Sequence, residues 1–288
     1  MSVAGEQGGL LPSDHHVHTE WSWDAPNGSM ERTCSRALEL GLPSVAFTEH
    51  ADMTPWTLPP GAHGPDDWAH LVSGNVFTPP RLDLDGYRRC VEQCRARFPG
   101  LRIHSGIELS EPHWHAEETK SLLDRGGFFR VLASVHSARL PAGGPAFTEV
   151  SDRYSDQAPE GVVRDYLAET LRLVQKFDDF EVLAHIDYPI RRWPTEAHPY
   201  DPRQFEEEHR EILRILAGAD KVLEVNTRVP LHPVVLKWWR QEGGNAITFA
   251  SDAHDPASLA QGFTEAVKIA TAAGFRADND PLGFWVRA

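Results

Sequence analysis

Seven short apolar segments alternate with segments of helical composition along this chain of 288 residues. We interpret the apolar segments as strands, and they lie at residues 11–18, 43–48, 101–107, 129–135, 181–184, 221–225 and 246–250. Strands that alternate with helices are typical of a parallel sheet whose strands are joined by right-handed crossovers. An open, doubly wound sheet satisfies this alternation as well as a closed barrel does.

Nearly every predicted strand ends in a polar side chain that could bind a metal ion. His16 and His18 end the first strand, and because they lie two residues apart their side chains would project from the same face. The complete set of candidate ligands is His16, His18, Asp24, His50, Glu108, His136, His185, Asp252 and His254. Such strand ends converge only if the sheet closes, so we predict an α/β fold, a TIM-like (β/α)7 barrel with the metal site at the C-terminal ends of the strands.

The number and chemistry of these ligands restrict the metal. Nine nitrogen and oxygen ligands are too many for one tetrahedral zinc ion. They suit two or three divalent cations, with Glu108 bridging a pair about 3.5 to 4 Å apart. Because the set contains no thiolate, zinc, manganese and iron remain possible. Each residue alone is more often a hydrogen-bonded loop or surface residue, and only the joint pattern favours a metal centre.

Composition restricts the class of partner. A formal net charge of −14 disfavours a general nucleic-acid or anionic-membrane binder, although bound cations would allow a small anionic substrate. The chain has no run of about 18 apolar residues and no N-terminal signal pattern, so we expect a cytoplasmic protein.

We predict a flexible tail at residues 1–11 and a single barrel domain at 12–288. Residues 51–82 and 138–159 lack periodicity and are predicted to be long loops.

Six short motifs resemble, in order and spacing, those of the PHP (polymerase and histidinol phosphatase) family. They are His16-x-His18, Thr48-Glu49-His50, Gly106-Ile107-Glu108, Ser134-Val135-His136, Ala184-His185-Ile186-Asp187 and Ser251-Asp252-Ala253-His254. The resemblance is closest to the histidinol-phosphatase branch, and it implies a distorted seven-stranded (β/α) barrel with a trinuclear site. It further implies a first metal held by His16, His18, Glu108 and Asp252, a second held by Glu108, His136 and His185, and a third held by Asp24, His50 and His254.

The resemblance also implies a reaction. We expect hydrolysis of a small phosphate monoester, most concretely L-histidinol phosphate to L-histidinol and phosphate in histidine biosynthesis. A hydroxide bridging the first two metals would attack phosphorus in line. We assign catalytic roles to Glu108, Asp252 and Arg228. Arg228, Arg191 and Arg192 follow the sixth and fifth strands and are predicted to bind phosphate oxygens.

Two histidines are candidates for the proton donor. His113 and His115 lie shortly after Glu108, and an imidazole that titrates near neutral pH could protonate the leaving alkoxide. We assign this catalytic role to His113 and a substrate-binding role to His115, while a supporting or surface role is open for both.

Three other functions compete with a monoesterase. The same family supports phosphodiesterase or exonuclease action, but the acidic charge and the lack of a basic groove with interleaved aromatic residues argue against it. A non-catalytic metal-binding module is the second alternative. The third is a C–N hydrolase of the amidohydrolase type, whose strand lysine has no counterpart in residues 105–107 or 132–134. The oligomeric state stays open.

Overall fold

A parallel sheet of seven strands closes on itself at the centre of the molecule. The structure is a computed structural model that describes residues 11–59, 66–140, 146–194, 196, 198–280 and 283–288. The barrel strands are β1 Asp14–Val17, β2 Ser44–Ala51, β3 Arg102–Ser110, β4 Arg130–Ser134, β5 Val182–Leu183, β6 Val222–Asn226 and β7 Ala246–Ala250. Each strand pairs in parallel with the next, and β1 also pairs with β7. The predicted closed barrel is therefore confirmed.

Helices connect the strands, and capping residues fix where a helix begins and ends. The described helices are α1 Met30–Leu40, α2 Leu84–Arg97, α3 Ala116–Gly126, α4 Pro159–Lys176, α5 Glu206–Gly218, α6 Pro233–Gln241 and α7 Phe263–Ala272. Ser29 Oγ accepts a hydrogen bond from the Arg32 amide at 3.3 Å at the start of α1. Gly41 ends the same helix with a φ of +69°, a value that glycine adopts without strain.

The barrel gains an antiparallel extension from the C-terminal part of the chain. Trp285–Arg287 pairs with β7, and Phe275–Ala277 pairs with that segment in turn.

The apolar core lies between the barrel and the helices, and its largest buried side chains include Phe47, Phe249 and Trp239. No helix among the described residues is long and apolar enough to cross a membrane. Of the predicted tail at residues 1–11, all but Leu11 lies outside the described residues.

The two segments predicted as long loops carry small sheets of their own. In the first, Trp56–Thr57, Val72–Ser73 and Val76–Phe77 form a three-stranded antiparallel sheet. In the second, Ser137–Arg139 pairs with Phe147–Glu149 to form a hairpin. The sequence missed these strands because two or three residues are too few to show a periodicity.

The two small sheets contact each other beside the C-terminal ends of the barrel strands. Thr148 Oγ1 donates to the backbone oxygen of Thr57 at 3.0 Å. Trp56 Nε1 donates to Ser137 Oγ at 2.7 Å. Together these contacts build one wall of the cavity described below.

Candidate metal centre

The first group of candidate ligands meets at the ends of β1, β3 and β7. The Nε2 atoms of His16 and His18 lie 2.9 Å apart. Glu108 Oε2 lies 3.2 Å from His16 Nε2 and 3.4 Å from His18 Nε2. Asp252 Oδ1 lies 3.9 and 3.5 Å from the same two nitrogens. Glu108 and Asp252 therefore both lie beside the two imidazole nitrogens, His16, His18 and Asp252 form a trio that could hold a metal ion, and all four side chains are buried.

The second group uses the other oxygen of Glu108. Its Oε1 lies 2.7 Å from His185 Nε2 and 3.3 Å from His136 Nε2. The two imidazole nitrogens are 3.3 Å apart. Glu108 thus directs one carboxylate oxygen to each group, which is the arrangement that a carboxylate bridging two cations requires.

The third group lies nearer the surface. Asp24 Oδ2 is 2.9 Å from His254 Nε2 and 3.3 Å from His50 Nε2. The His50 ring stacks on His18, with centroids 4.1 Å apart, and its Nδ1 lies 3.1 Å from Glu108 Oε2. The third group is therefore continuous with the first.

The second ring nitrogen of three histidines is held by a neighbouring side chain. His16 Nδ1 lies 2.8 Å from Glu224 Oε2, His18 Nδ1 is 3.0 Å from Ser22 Oγ, and His136 Nδ1 is 2.7 Å from Ser110 Oγ. Such partners leave Nε2 of each ring free to act as the ligand. Glu108 Oε2 and Asp24 Oδ1 are buried and have no hydrogen-bond partner in the part of the chain that the structure describes. Because a buried oxygen without a partner is costly, this ligand set fits divalent cations.

The electrostatics keep the central carboxylates ionised. Burial raises the pKa of Glu108, but the neighbouring His16 and His136 outweigh burial and hold that pKa well below its usual range. Burial likewise raises the pKa of Asp252, and Arg191 together with His16 outweighs it, so this pKa is also well below the usual range. Both groups are thus anions near neutral pH, the form that binds a cation.

Two candidate ligands sit on left-handed backbone. The φ of Asp252 is +52° and that of His185 is +20°, values that side-chain-bearing residues adopt at a cost. The Asp252 amide donates to the His16 carbonyl oxygen at 2.9 Å, and the His185 amide donates to Glu224 Oε1 at 3.0 Å. These hydrogen bonds hold both side chains toward the centre of the site.

The three predicted arginines line one cavity of about 510 Å³ beside the candidate ligands. Arg191 donates to Asp252 Oδ2, and its guanidinium lies 4.7 Å from the centroid of the Tyr188 ring. Arg228 Nη1 lies 3.6 Å from Asp252 Oδ1, with about half of the side chain exposed. Arg192 lines the cavity without an ion-pair partner among the described residues.

The other two predicted site residues face elsewhere. His113 Nε2 lies 2.7 Å from Glu169 Oε1 on α4. His115 Nε2 lies 2.8 Å from Thr54 Oγ1. Neither side chain is among the described residues that line the cavity, so their assigned roles stay predictions without geometric support.

The sequence analysis did not identify several residues of the site. Asp52 Oδ1 lies 3.5 Å from His136 Nδ1, and His50, Asp52 and His136 form a further trio that could hold a metal ion. Asp52 follows His50 by two residues, so strand alternation could have identified it. Glu224 lies in the middle of β6, so a search for polar residues at strand ends could not identify it. Glu149 and Asp152, from the second long segment, also line the cavity.

Comparison with known proteins adds an independent line of support. The PHP domain family matches residues 14–228. A histidinol-phosphatase of Lactococcus lactis subsp. lactis (strain IL1403) is 26% identical over 84% of this chain and 83% of its own length. A probable histidinol-phosphatase of Thermotoga maritima is 28% identical over 88% of this chain and 89% of its own length.

Two solved structures that resemble this chain also come from proteins described as histidinol phosphatases. The crystal structure of histidinol phosphate phosphatase from Lactococcus lactis, complexed with zinc, L-histidinol and phosphate, has a TM-score of 0.76 and 26% identity. The match covers 96% of this chain and 99% of that one. A histidinol phosphatase structure from Listeria monocytogenes, described as putative, has a TM-score of 0.70 at 17% identity and supports the fold alone.

Proposed function

The chain belongs to the PHP domain family, and from this membership we propose that it is a metal-dependent phosphatase that hydrolyses L-histidinol phosphate to L-histidinol and phosphate. The observation that carries the proposal is that Glu108 and Asp252 lie within 3.5 Å of His18 Nε2, next to His16, at one end of a closed barrel. The Lactococcus lactis relative, whose structure contains zinc, L-histidinol and phosphate, supports the same reaction.

In this proposal the ligand groups hold three cations. His16, His18, Glu108 and Asp252 would hold the first; Glu108, His136 and His185 the second; and Asp24, His50 and His254 the third. The zinc of the Lactococcus lactis structure favours zinc over manganese or iron. When bound, such cations polarise phosphoryl oxygens and lower the pKa of water that attacks phosphorus.

The chain's own residues would bind and orient the phosphate. Asp252 Oδ2 holds the Arg191 guanidinium, and the Tyr188 ring supports it from one side. A guanidinium has five N–H groups, so Arg191 can donate to phosphate oxygens while keeping the ion pair. Arg192 and Arg228 lie on the same cavity and would add positive charge around the dianion. We propose all three as substrate-binding residues.

The test is phosphate release by the purified protein after loading with zinc or with manganese. We expect turnover of L-histidinol phosphate, loss of activity with a chelator, and recovery when the metal returns. A short single-stranded oligonucleotide should not be cleaved. The proposal is wrong if the metal-loaded protein releases no phosphate from L-histidinol phosphate, and cleavage of the oligonucleotide alone would assign a phosphodiesterase.

A further inference from the structure

Two carboxylates on the cavity wall take no part in the proposed metal groups. Glu149 ends the hairpin of the second long segment, and Asp152 lies in the 3₁₀ turn that follows it. Both line the same cavity as Glu108 and Arg191. Neither forms an ion pair with a lysine, arginine or histidine among the described residues, whereas Asp24, Glu108 and Asp252 all do.

The two carboxylates are fixed by neutral donors. Glu149 Oε2 accepts from the Ser151 amide at 2.8 Å, and the Tyr188 hydroxyl also donates to this carboxylate. Asp152 Oδ2 accepts from Thr148 Oγ1 at 2.8 Å. Burial, and after it the negative charge of Asp152, raises the pKa of Glu149 to about 7. Burial and the neighbouring negative charge therefore disfavour the ionised form of Glu149, and a cationic group bound beside it would favour that form.

Aromatic rings lie beside these carboxylates. Trp23, Trp56 and Trp68 line the cavity, and the centroid of Trp23 lies 5.8 Å from that of Trp56 and 4.6 Å from that of Trp68. Trp56 donates to Ser137 Oγ, and Ser137 is paired with Glu149 in the hairpin. Indole faces attract organic cations, and their flat apolar surface suits a small heterocycle.

The cavity thus combines charges of both signs. Arg191, Arg192 and Arg228 suit a phosphate, and Glu149 and Asp152 suit a cation within the same small volume. A phosphate ester of an amino alcohol carries both charges. We propose that Glu149 and Asp152 bind the ammonium group of the leaving alcohol and thereby select phosphate monoesters of cationic alcohols. This inference rests on the proposed phosphatase function.

The experiment compares two esters that differ in one charge. L-Histidinol phosphate carries the ammonium group, and 3-(imidazol-4-yl)propyl phosphate lacks it. We expect wild-type protein to prefer the first by roughly 10- to 100-fold in kcat/KM, as a charged hydrogen bond allows. Asp152→Asn and Glu149→Gln should each lower this ratio toward one. The control is Asp156→Asn, because Asp156 is an exposed carboxylate of the same segment that pairs with Arg153, and it should keep the wild-type ratio.

A binding measurement separates the possible failures. Calorimetric titration of the metal-loaded protein with L-histidinol should give tighter binding to wild type than to Asp152→Asn, whether or not the protein turns over a phosphate ester. If both variants lose activity on the two esters equally, the carboxylates are structural and the inference is wrong. If neither ester is hydrolysed while L-histidinol binding still depends on Asp152, only the proposed reaction fails. If the wild-type ratio is already near one, the inference is wrong and the phosphatase assignment stands.

Discussion

Glu224, in the middle of β6, holds the ring of His16, at the far end of the chain, through a contact of 2.8 Å between Oε2 and Nδ1. The same carboxylate accepts from the His185 amide and from Asn226 Nδ2 through its other oxygen. One buried side chain therefore positions residues of two candidate metal groups. A neutral ring nitrogen that donates to this carboxylate leaves Nε2 as a stronger ligand.

Glu224→Gln should weaken metal binding without removing a ligand. The amide has the shape of the carboxylate but lacks its charge, so we expect a loss of roughly 10- to 100-fold in metal affinity. Metal content by mass spectrometry after dialysis against graded chelator measures this. Glu207→Gln, on the exposed face of α5, is the control and should keep the wild-type content. Equal metal retention in Glu224→Gln and wild type would contradict the positioning role.

Glu108→Gln and Asp24→Asn should differ in how many metals they lose. Glu108 lies between two ligand groups, so its loss should empty at least two sites and lower phosphatase activity by more than about 100-fold. Asp24 belongs only to the third group, and its variant should lose one metal and keep two. Metals per chain and activity are measured on the same samples. Identical metal counts for the two variants would disprove the bridging role of Glu108.

Arg191→Lys should impair phosphate binding more than Arg192→Lys. Arg191 combines an ion pair with Asp252 and a contact with the Tyr188 ring, and an ammonium cannot reproduce that planar geometry. We expect kcat/KM for the phosphate ester to fall roughly 10- to 100-fold, with competitive inhibition by inorganic phosphate weakened in parallel. Arg192, which has no such partners among the described residues, is the matched control. A larger effect in Arg192→Lys would reverse the assignment.

His209 should make the fold sensitive to mild acid. This ring on α5 is buried, its Nδ1 lies 2.8 Å from the Phe205 carbonyl oxygen, and burial lowers its pKa to about 4. In the unfolded chain a histidine titrates near 6.5, so between pH 6.5 and 4 the unfolded state binds the extra proton. The free energy of unfolding should therefore fall as pH drops through this window, by about 3 kcal/mol in total. Above pH 6.5 this histidine should cause no further change.

Urea unfolding of metal-free protein at pH 7 and pH 5 checks this dependence. His209→Leu should lose less free energy of unfolding between the two pH values than wild type does, because the titrating ring is absent. His70→Leu, which removes an exposed histidine, should behave as wild type. A wild-type pH dependence in His209→Leu would show that other groups cause it.

The sequence alone determined the barrel and the nine candidate ligands at its mouth, but it did not identify Asp52, Glu149 or Asp152. The periodicity of strands and helices is local, and a residue such as His136 stands at a strand end whatever the rest of the chain does. Closure followed from the polar residues at the ends of nearly all seven predicted strands, because only a closed sheet brings these ends together. Short strands such as Trp56–Thr57 were missed because they carry no periodic signal.

Only the tertiary structure decided which atoms meet. That Glu108 directs one oxygen to His16 and the other to His185 depends on the register of β1, β3 and β5, which are far apart in the chain. The contact between Glu224 and His16 likewise depends on strand pairing, because β6 and β1 are far apart in the chain. His113, close to Glu108 in sequence, faces α4 instead of the cavity because the segment after β3 leaves the barrel. Local patterns determine where a residue stands along its strand, whereas contacts across the barrel depend on non-local strand pairing, which no short stretch of sequence encodes.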